Sequence, residues 1–230
     1  MEHLPVYISI IFIITTLITL WLFYKAADYS KSVIIIIALW LLLQSVISLS
    51  GFYTVVTGIP PRFVLLLMPP IAFIIILFFI KRGKEVIDSF DVKTLTLLQV
   101  ARVLVEIILY LLYINKVIPQ VMTFEGRNFD ILCGLTAPFV YYFGYIKNVI
   151  TKGVLIAWNI VCLLLLANIV ITTLLSAPFP IQKFGFDQPD FALFYFPFIF
   201  LPGFIVPAVL FAHLTAIRRL VKPTSPLPIA

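Results

Sequence analysis

The stretch LLQVARVLVEIILYLLY, Leu97 to Tyr113, decides how the chain is read, because most of it is soluble in hydrocarbon while Gln99, Arg102 and Glu106 are not. Gln99, Arg102, Glu106, Tyr110 and Tyr113 follow one another at three or four residues and so share one helical face. Leu98, Leu104, Ile108 and Leu111 occupy the opposite side. A charge facing lipid costs several kcal/mol, so the polar stripe is expected to face the protein or a water-filled cavity. The i,i+4 spacing predicts that Arg102 pairs with Glu106, with Glu106 near mid-membrane and Arg102 one turn closer to the cytoplasm.

The flanking sequence makes this segment one span among several. Hydrophobic residues make up 63% of the 230 and charged residues only 11%, a composition broken into long apolar runs, as in multi-pass membrane proteins. Seven runs are long enough to cross about 30 Å of hydrocarbon at about 1.5 Å per residue. They are Pro5 to Tyr24, Ser32 to Val55, Arg62 to Ile80, Thr94 to Asn115, Asn128 to Ile146, Gly153 to Leu175 and Asp190 to Ile217. The expected fold is all-α: a single transmembrane domain over residues 1–230, polytopic, built as a seven-transmembrane-helix bundle. Glu2 stands where a signal peptide carries basic charge, and no small-residue cleavage site follows, so the first run is expected to remain as a span.

Basic residues sort by alternate loops. Lys25, Lys31, Lys81, Arg82, Lys84, Lys93, Lys147, Lys152, Arg218, Arg219 and Lys222 fall on one side, against Arg62, Lys116, Arg127 and Lys183 on the other. This asymmetry predicts an N-terminus outside and a C-terminus in the cytoplasm. It also accounts for the net charge of +6 without any nucleic-acid-sized patch, so no nucleic acid is expected as a partner. A multi-pass membrane location follows, the plasma (inner) membrane in a bacterium, with membrane lipid as the first partner.

Prolines punctuate the spans. Pro69 and Pro70 are expected to disturb the third, and Pro197, Pro202 and Pro207 to kink or break the seventh. Val117 to Phe124 reads either as an external connection or as a short re-entrant piece. Gly134, Thr136 and Ala137 suit close helix packing.

The polar residues supply two groups of candidates. Gln99, Arg102, Glu106, Tyr110, Tyr113 and Asn168 are the ligand-binding candidates, Asn168 being preferred to Asn159 for its depth. Glu125, Arg127, Asn128 and Asp130, in FEGRNFD, form a candidate outer mouth, with Asn128 or Asp130 also suited to cap the fifth span. His213 reads as an interfacial residue. Cys133 and Cys162, both in apolar runs, read as packing residues and not as a disulfide. With two histidines and no repeated ligand spacing, no metal, cofactor or catalytic residue is assigned. A retinal site would need a lysine within a span, and none lies there.

Seven spans permit two three-helix units joined by a linker, but the prolines do not repeat between the halves, so no family is assigned. The favoured function is an intramembrane polar site that binds or transports a small polar or ionic solute. The alternatives are a sensor, assembly factor or accessory subunit that turns the stripe towards a membrane protein partner or a second copy, and a membrane-embedded enzyme using Glu106 or Asp130 as acid or base.

Overall fold

The computed structural model describes residues 4–56 and 61–222, so Glu2 and His3 lie outside it. It is all-helical, with no strand among the described residues. The helices are α1 (Val6–Ala26), α2 (Lys31–Leu49), α3 (Val64–Phe79), α4 (Lys81–Ser89), α5 (Val92–Leu98), α6 (Ala101–Ile114), α7 (Ile131–Phe139), α8 (Lys152–Ser176) and α9 (Val206–Val221). The π-helix Val140–Ile146 extends α7, and another, Leu201–Ile205, leads into α9. Five segments are long and apolar enough to cross a membrane: α1, α2, α5 with α6, α8, and Leu201–Val221. Six qualify when α3 and α4, bent by 101°, count as one span; Ile131–Ile146 is apolar but shorter.

At the centre of the bundle α5 packs against α1 and α9, with α6 against α1 and α7 and with α8 against α9. Hydroxyls within α1 are silenced locally: Thr15, Thr16 and Thr19 donate to the carbonyls of Ile11, Phe12 and Thr15 at 2.8–2.9 Å, which lets a polar face be buried. On α6, Ile108, Leu109 and Leu112 are as buried as Arg102 and Glu106, while Ile107 and Ile114 are exposed. By contrast α2 buries only Gln44 and Ser48 and presents most of its length outward.

The predicted spans and the observed helices differ at three places. The chain between α5 and α6 tightens at Gln99–Val100, where three-residue bonds (Gln99 to Thr96, Val100 to Leu97, Arg102 to Gln99) replace the α pattern. Pro69 and Pro70 do not interrupt α3, which runs through both; the break comes at Ile80, in extended conformation, where the apolar run meets Lys81 and Arg82. Residues 190–200, expected within the seventh span, are mostly irregular apart from the short 3₁₀ turn Ala192–Phe194, and Pro197 and Pro202 fit that delayed start.

The basic loops gather at one end. Asp88 accepts from Arg218 Nε and Nη2 at 3.1 Å each and pairs with Lys222, while the Asp91 amide donates to the Ala26 carbonyl at 2.8 Å. At the opposite end Asn168 reaches the Arg127 carbonyl at 2.7 Å and the Phe191 amide meets the Val117 carbonyl at 3.3 Å. Within that end Ile118 and Met122 are buried, so Val117–Phe124 folds inward around the 3₁₀ turn Gln120–Met122.

The turn into α4 depends on Gly83. A Cβ there would lie 2.3 Å from the Leu77 carbonyl oxygen and 2.6 Å from its Cα. Both neighbours are backbone, so Gly83→Ala is expected to open the α3–α4 bend and cost about 1–3 kcal/mol, read as a lower Tm in detergent.

Asp88 offers a pH-dependent brace. Hydrogen bonds from Arg218 hold its carboxyl below the ordinary value of 3.8, outweighing a smaller opposing effect of burial. A carboxyl with a lower pKa when folded stabilises the fold above its ordinary value and loses that contribution as the pH falls below it. Solvent screening limits the effect to about 1 kcal/mol or less. Asp88→Asn should therefore lower Tm slightly at pH 7, with the gap to wild type closing as thermal scans are taken towards pH 3.

Candidate functional site: a buried charged cluster

Arg102 is 2% exposed and Glu106 1%, yet they do not form the predicted pair. The Arg102 guanidinium instead grips Asp130 with two donors, Nε to Oδ2 at 2.6 Å and Nη2 to Oδ1. Its Nη1 lies 3.0 Å from His213 Nε2, and Nη2 also donates to the Cys162 carbonyl at 3.2 Å. A planar fork makes all these bonds at once, which a lysine ammonium could not. The intrahelical alternative is weak because the cation precedes the anion, the less favourable order at i,i+4.

Gly134 makes this cross-helix contact reachable. A Cβ on Gly134 would sit 2.7 Å from Val103 Cγ2 and 2.9 Å from the Val103 nitrogen, so α7 approaches α6 as closely as only a glycine allows. Asp130 then arrives at Arg102 one turn earlier in the chain, and Asn128 arrives at Glu106. Asn128 Nδ2 donates to Glu106 Oε1 and to the Met122 carbonyl at 3.1 Å, while its Oδ1 accepts from the Asp130 amide at 3.1 Å.

His213 is fully buried near the middle of the Leu201–Val221 segment, which corrects its reading as an interfacial residue. Asn159 fixes it: the Asn159 amide nitrogen donates to the Leu155 carbonyl at 2.8 Å, which leaves Oδ1 to accept from His213 Nδ1 at 2.8 Å. That places the His213 proton on Nδ1 and turns the Nε2 lone pair to Arg102. One continuous chain of hydrogen bonds thus runs Asn159, His213, Arg102, Asp130, Asn128, Glu106.

The cysteines correct a second expectation. Cys133 and Cys162 form a disulfide linking α7 to α8, and Cys133 Sγ lies 3.9 Å from His213 Nε2. The two sulfurs and a His213 ring nitrogen fall within 4.8 Å of one another, a set that could hold a metal only once the cysteines are reduced.

The other candidates are dispersed. Gln99 is buried beside the cluster, with Oε1 lacking a partner. Tyr110 packs on Phe124, with ring centroids 5.0 Å apart, and Tyr113 gives its carbonyl to Gln188 at 3.1 Å. Glu125 and Arg127 are exposed at the end opposite Asp88 and Asn168 is half-buried there, Arg127 lying over the Phe184 ring at 5.2 Å. The four outer-mouth candidates thus divide, Asn128 and Asp130 going inward. Asn159 and His213 were missed, and the only sequence sign of them was two hydrogen-bonding side chains inside apolar runs.

Arg102, Glu106, Asp130 and Thr173 line a cavity of about 50 Å³, otherwise walled by apolar side chains such as Leu109, Leu166, Ile169 and Val209. Glu106 Oε2 is buried and has no hydrogen-bond partner. The helices and this enclosed cluster define an all-helical protein with several membrane-spanning helices. No family model, curated protein or solved structure matches the chain.

If Asp130 is the counterion of Arg102, Asp130→Asn leaves a buried cation unpaired and should cost about 3–5 kcal/mol. Arg102→Leu combined with Asp130→Leu should recover much of that loss. A double-mutant cycle on thermal unfolding measures the coupling; additive losses would mean the two side chains do not act as a pair.

Proposed function

We propose that this is a seven-pass membrane protein, N-terminus outside and C-terminus cytoplasmic, whose polar cavity binds a proton or a small monovalent cation at Glu106 as part of binding or transporting a small ionic solute. The observation that carries the reading is the unpartnered Glu106 Oε2 on the cavity wall. Arg102 and Asp130 neutralise each other, and a neutral His213 adds no charge, so among the residues lining this cavity Glu106 is the remaining acid. An isolated carboxylate is too costly in this setting; it carries a proton or holds a cation.

Cavity size narrows the solute. A water needs roughly 10–15 Å³ of such space, so about 50 Å³ admits a few waters or a small ion and excludes a sugar or an amino acid in this conformation. The gathering of the loops after α1, α4 and α9 at one end supports the alternating topology, and the basic excess there supports its orientation. Burial of Gln99, Arg102 and Glu106 inside the chain favours a site of its own over a stripe presented to partner helices.

In a thermal-shift series at constant ionic strength, wild type should be stabilised by lithium, sodium or potassium over choline, or by acidification, and Glu106→Gln should abolish that dependence while staying folded. Free ligand at ten times its Kd corresponds to about 1.4 kcal/mol, a shift of a few degrees. If Glu106→Gln keeps the same ion and pH response as wild type, the site is elsewhere.

A further inference from the structure

On the opposite side of the Leu201–Ala208 segment from the charged cavity lies a much larger space. This groove has a volume of about 720 Å³, within the usual size of a ligand pocket. Val33, Ile36, Ile37 and Trp40 of α2 form one wall, and Pro69, Pro70 and Phe73 of α3 another. Its floor is Gly203 to Phe211.

The floor is kept in place by a specific bond. Pro207 removes the N–H that would close a helical turn onto the Gly203 carbonyl, and Trp40 Nε1 donates to that carbonyl at 2.8 Å instead. This bond ties α2 to the floor from a distance, while α2 otherwise stands clear of α3. The result is an apolar crevice between α2 and α3, with Ile36 and Phe73 of its walls exposed.

One end of the groove is chemically different. Ser30 and Ser32 line it, with exposed Lys31 between them at the start of α2. The Ser30 side chain does not cap α2, so it leaves the first-turn amides of that helix open at the same place. Val86 of α4 also lines the groove, and Arg82 is one turn earlier on the same face of α4. Of the neighbouring acids, Asp88 is engaged by Arg218 and Lys222 and Asp91 by the start of α5; Asp28 and Glu85 remain, against Lys25, Lys31, Lys81, Arg82 and Lys84 in the same two stretches of chain, so the balance there is basic. Among the described residues neither Lys31 nor Arg82 makes an ion pair.

We infer that this groove is a binding site for a phospholipid with an anionic headgroup, an acyl chain lying between α2 and α3 and the phosphate at Lys31 and Arg82. The apolar lining suits the chain, and the basic end suits the phosphate, as in basic pockets between transmembrane helices that select anionic headgroups. This is independent of the Glu106 reading, since none of the groove's residues lines the charged cavity.

The test compares phosphatidylglycerol with phosphatidylcholine on the purified full chain, by native mass spectrometry of retained lipid and by Tm in nanodiscs of each lipid. Wild type should retain phosphatidylglycerol preferentially and be more stable in it. The variant Lys31→Gln with Arg82→Gln should lose about 30-fold in that preference, two basic residues each contributing about fivefold, with an unchanged Tm in phosphatidylcholine. Ile36→Trp, which fills the groove from the exposed face of α2, should reduce retention of both lipids. Equal retention of the two lipids by wild type overturns the headgroup assignment. Retention unaffected by Ile36→Trp overturns the location, as does a stable dimer that Ile36→Trp dissociates, which would make a second copy the occupant. Should the double glutamine variant fail to fold, the wild-type preference and the Ile36→Trp result still decide.

Discussion

The bidentate contact between Arg102 and Asp130 is the constraint from which the interior follows. Two opposite charges in hydrocarbon are tolerable only with good geometry and with the remaining donors occupied. The Arg102 fork meets this by reaching three other elements: Asp130 ahead of α7, the Cys162 carbonyl of α8, and His213 of α9. Such an arrangement sets the register of four helices at once. Gly134 supplies the close approach, and Asn159 orients the histidine that would otherwise compete for a proton.

Because Arg102 is satisfied in this way, Glu106 is left with a single amide partner, Asn128, and one free oxygen. The difference between a structural brace and a binding site lies in this asymmetry. A brace closes its own hydrogen bonds, as Asp130 does with both oxygens. Glu106 does not: its Oε2 is buried without a hydrogen-bond partner, on a residue that lines the small cavity. Charge accounting therefore concentrates the proposed chemistry on one atom.

Much of the fold was legible in the sequence because apolar length and charge asymmetry are properties of single segments. The apolar runs recur as helices, and the basic loops meet at one end around Asp88. What the sequence could not convey were boundaries and cross-helix partners. The seventh apolar run was begun at Asp190, whereas the helical segment runs from Leu201 to Val221 with His213 near its middle; closeness in sequence to Arg218 and Arg219 had suggested an interface. Arg102 was given to Glu106 because spacing along one helix is visible in a sequence, whereas the approach of Asp130 depends on Gly134 packing against Val103. The cysteines, 29 residues apart on different helices, carried no spacing signal either. The stripe in Leu97–Tyr113 did mark a buried segment with Glu106 on a cavity, but its tyrosines pack on each other and on Phe124.

The segment from Leu201 to Val209 separates the two spaces in the molecule. Pro202, Ile205, Val206 and Val209 line the charged cavity, while Gly203, Phe204, Pro207 and Ala208 line the apolar groove. A regular, fully bonded α-helix would make this partition rigid by its own hydrogen bonds. Here a π-helical stretch and two prolines leave it dependent on neighbours, on Trp40 for the Gly203 carbonyl and on Leu66, whose Cδ1 would lie 2.8 Å from a Cβ at position 203. Its position is thus fixed by α2 and α3, the helices that also wall the groove. Any displacement of α2 changes the support of a wall whose other face carries the cavity of Glu106, so the packing of the lipid-facing side and the shape of the polar site are mechanically one problem.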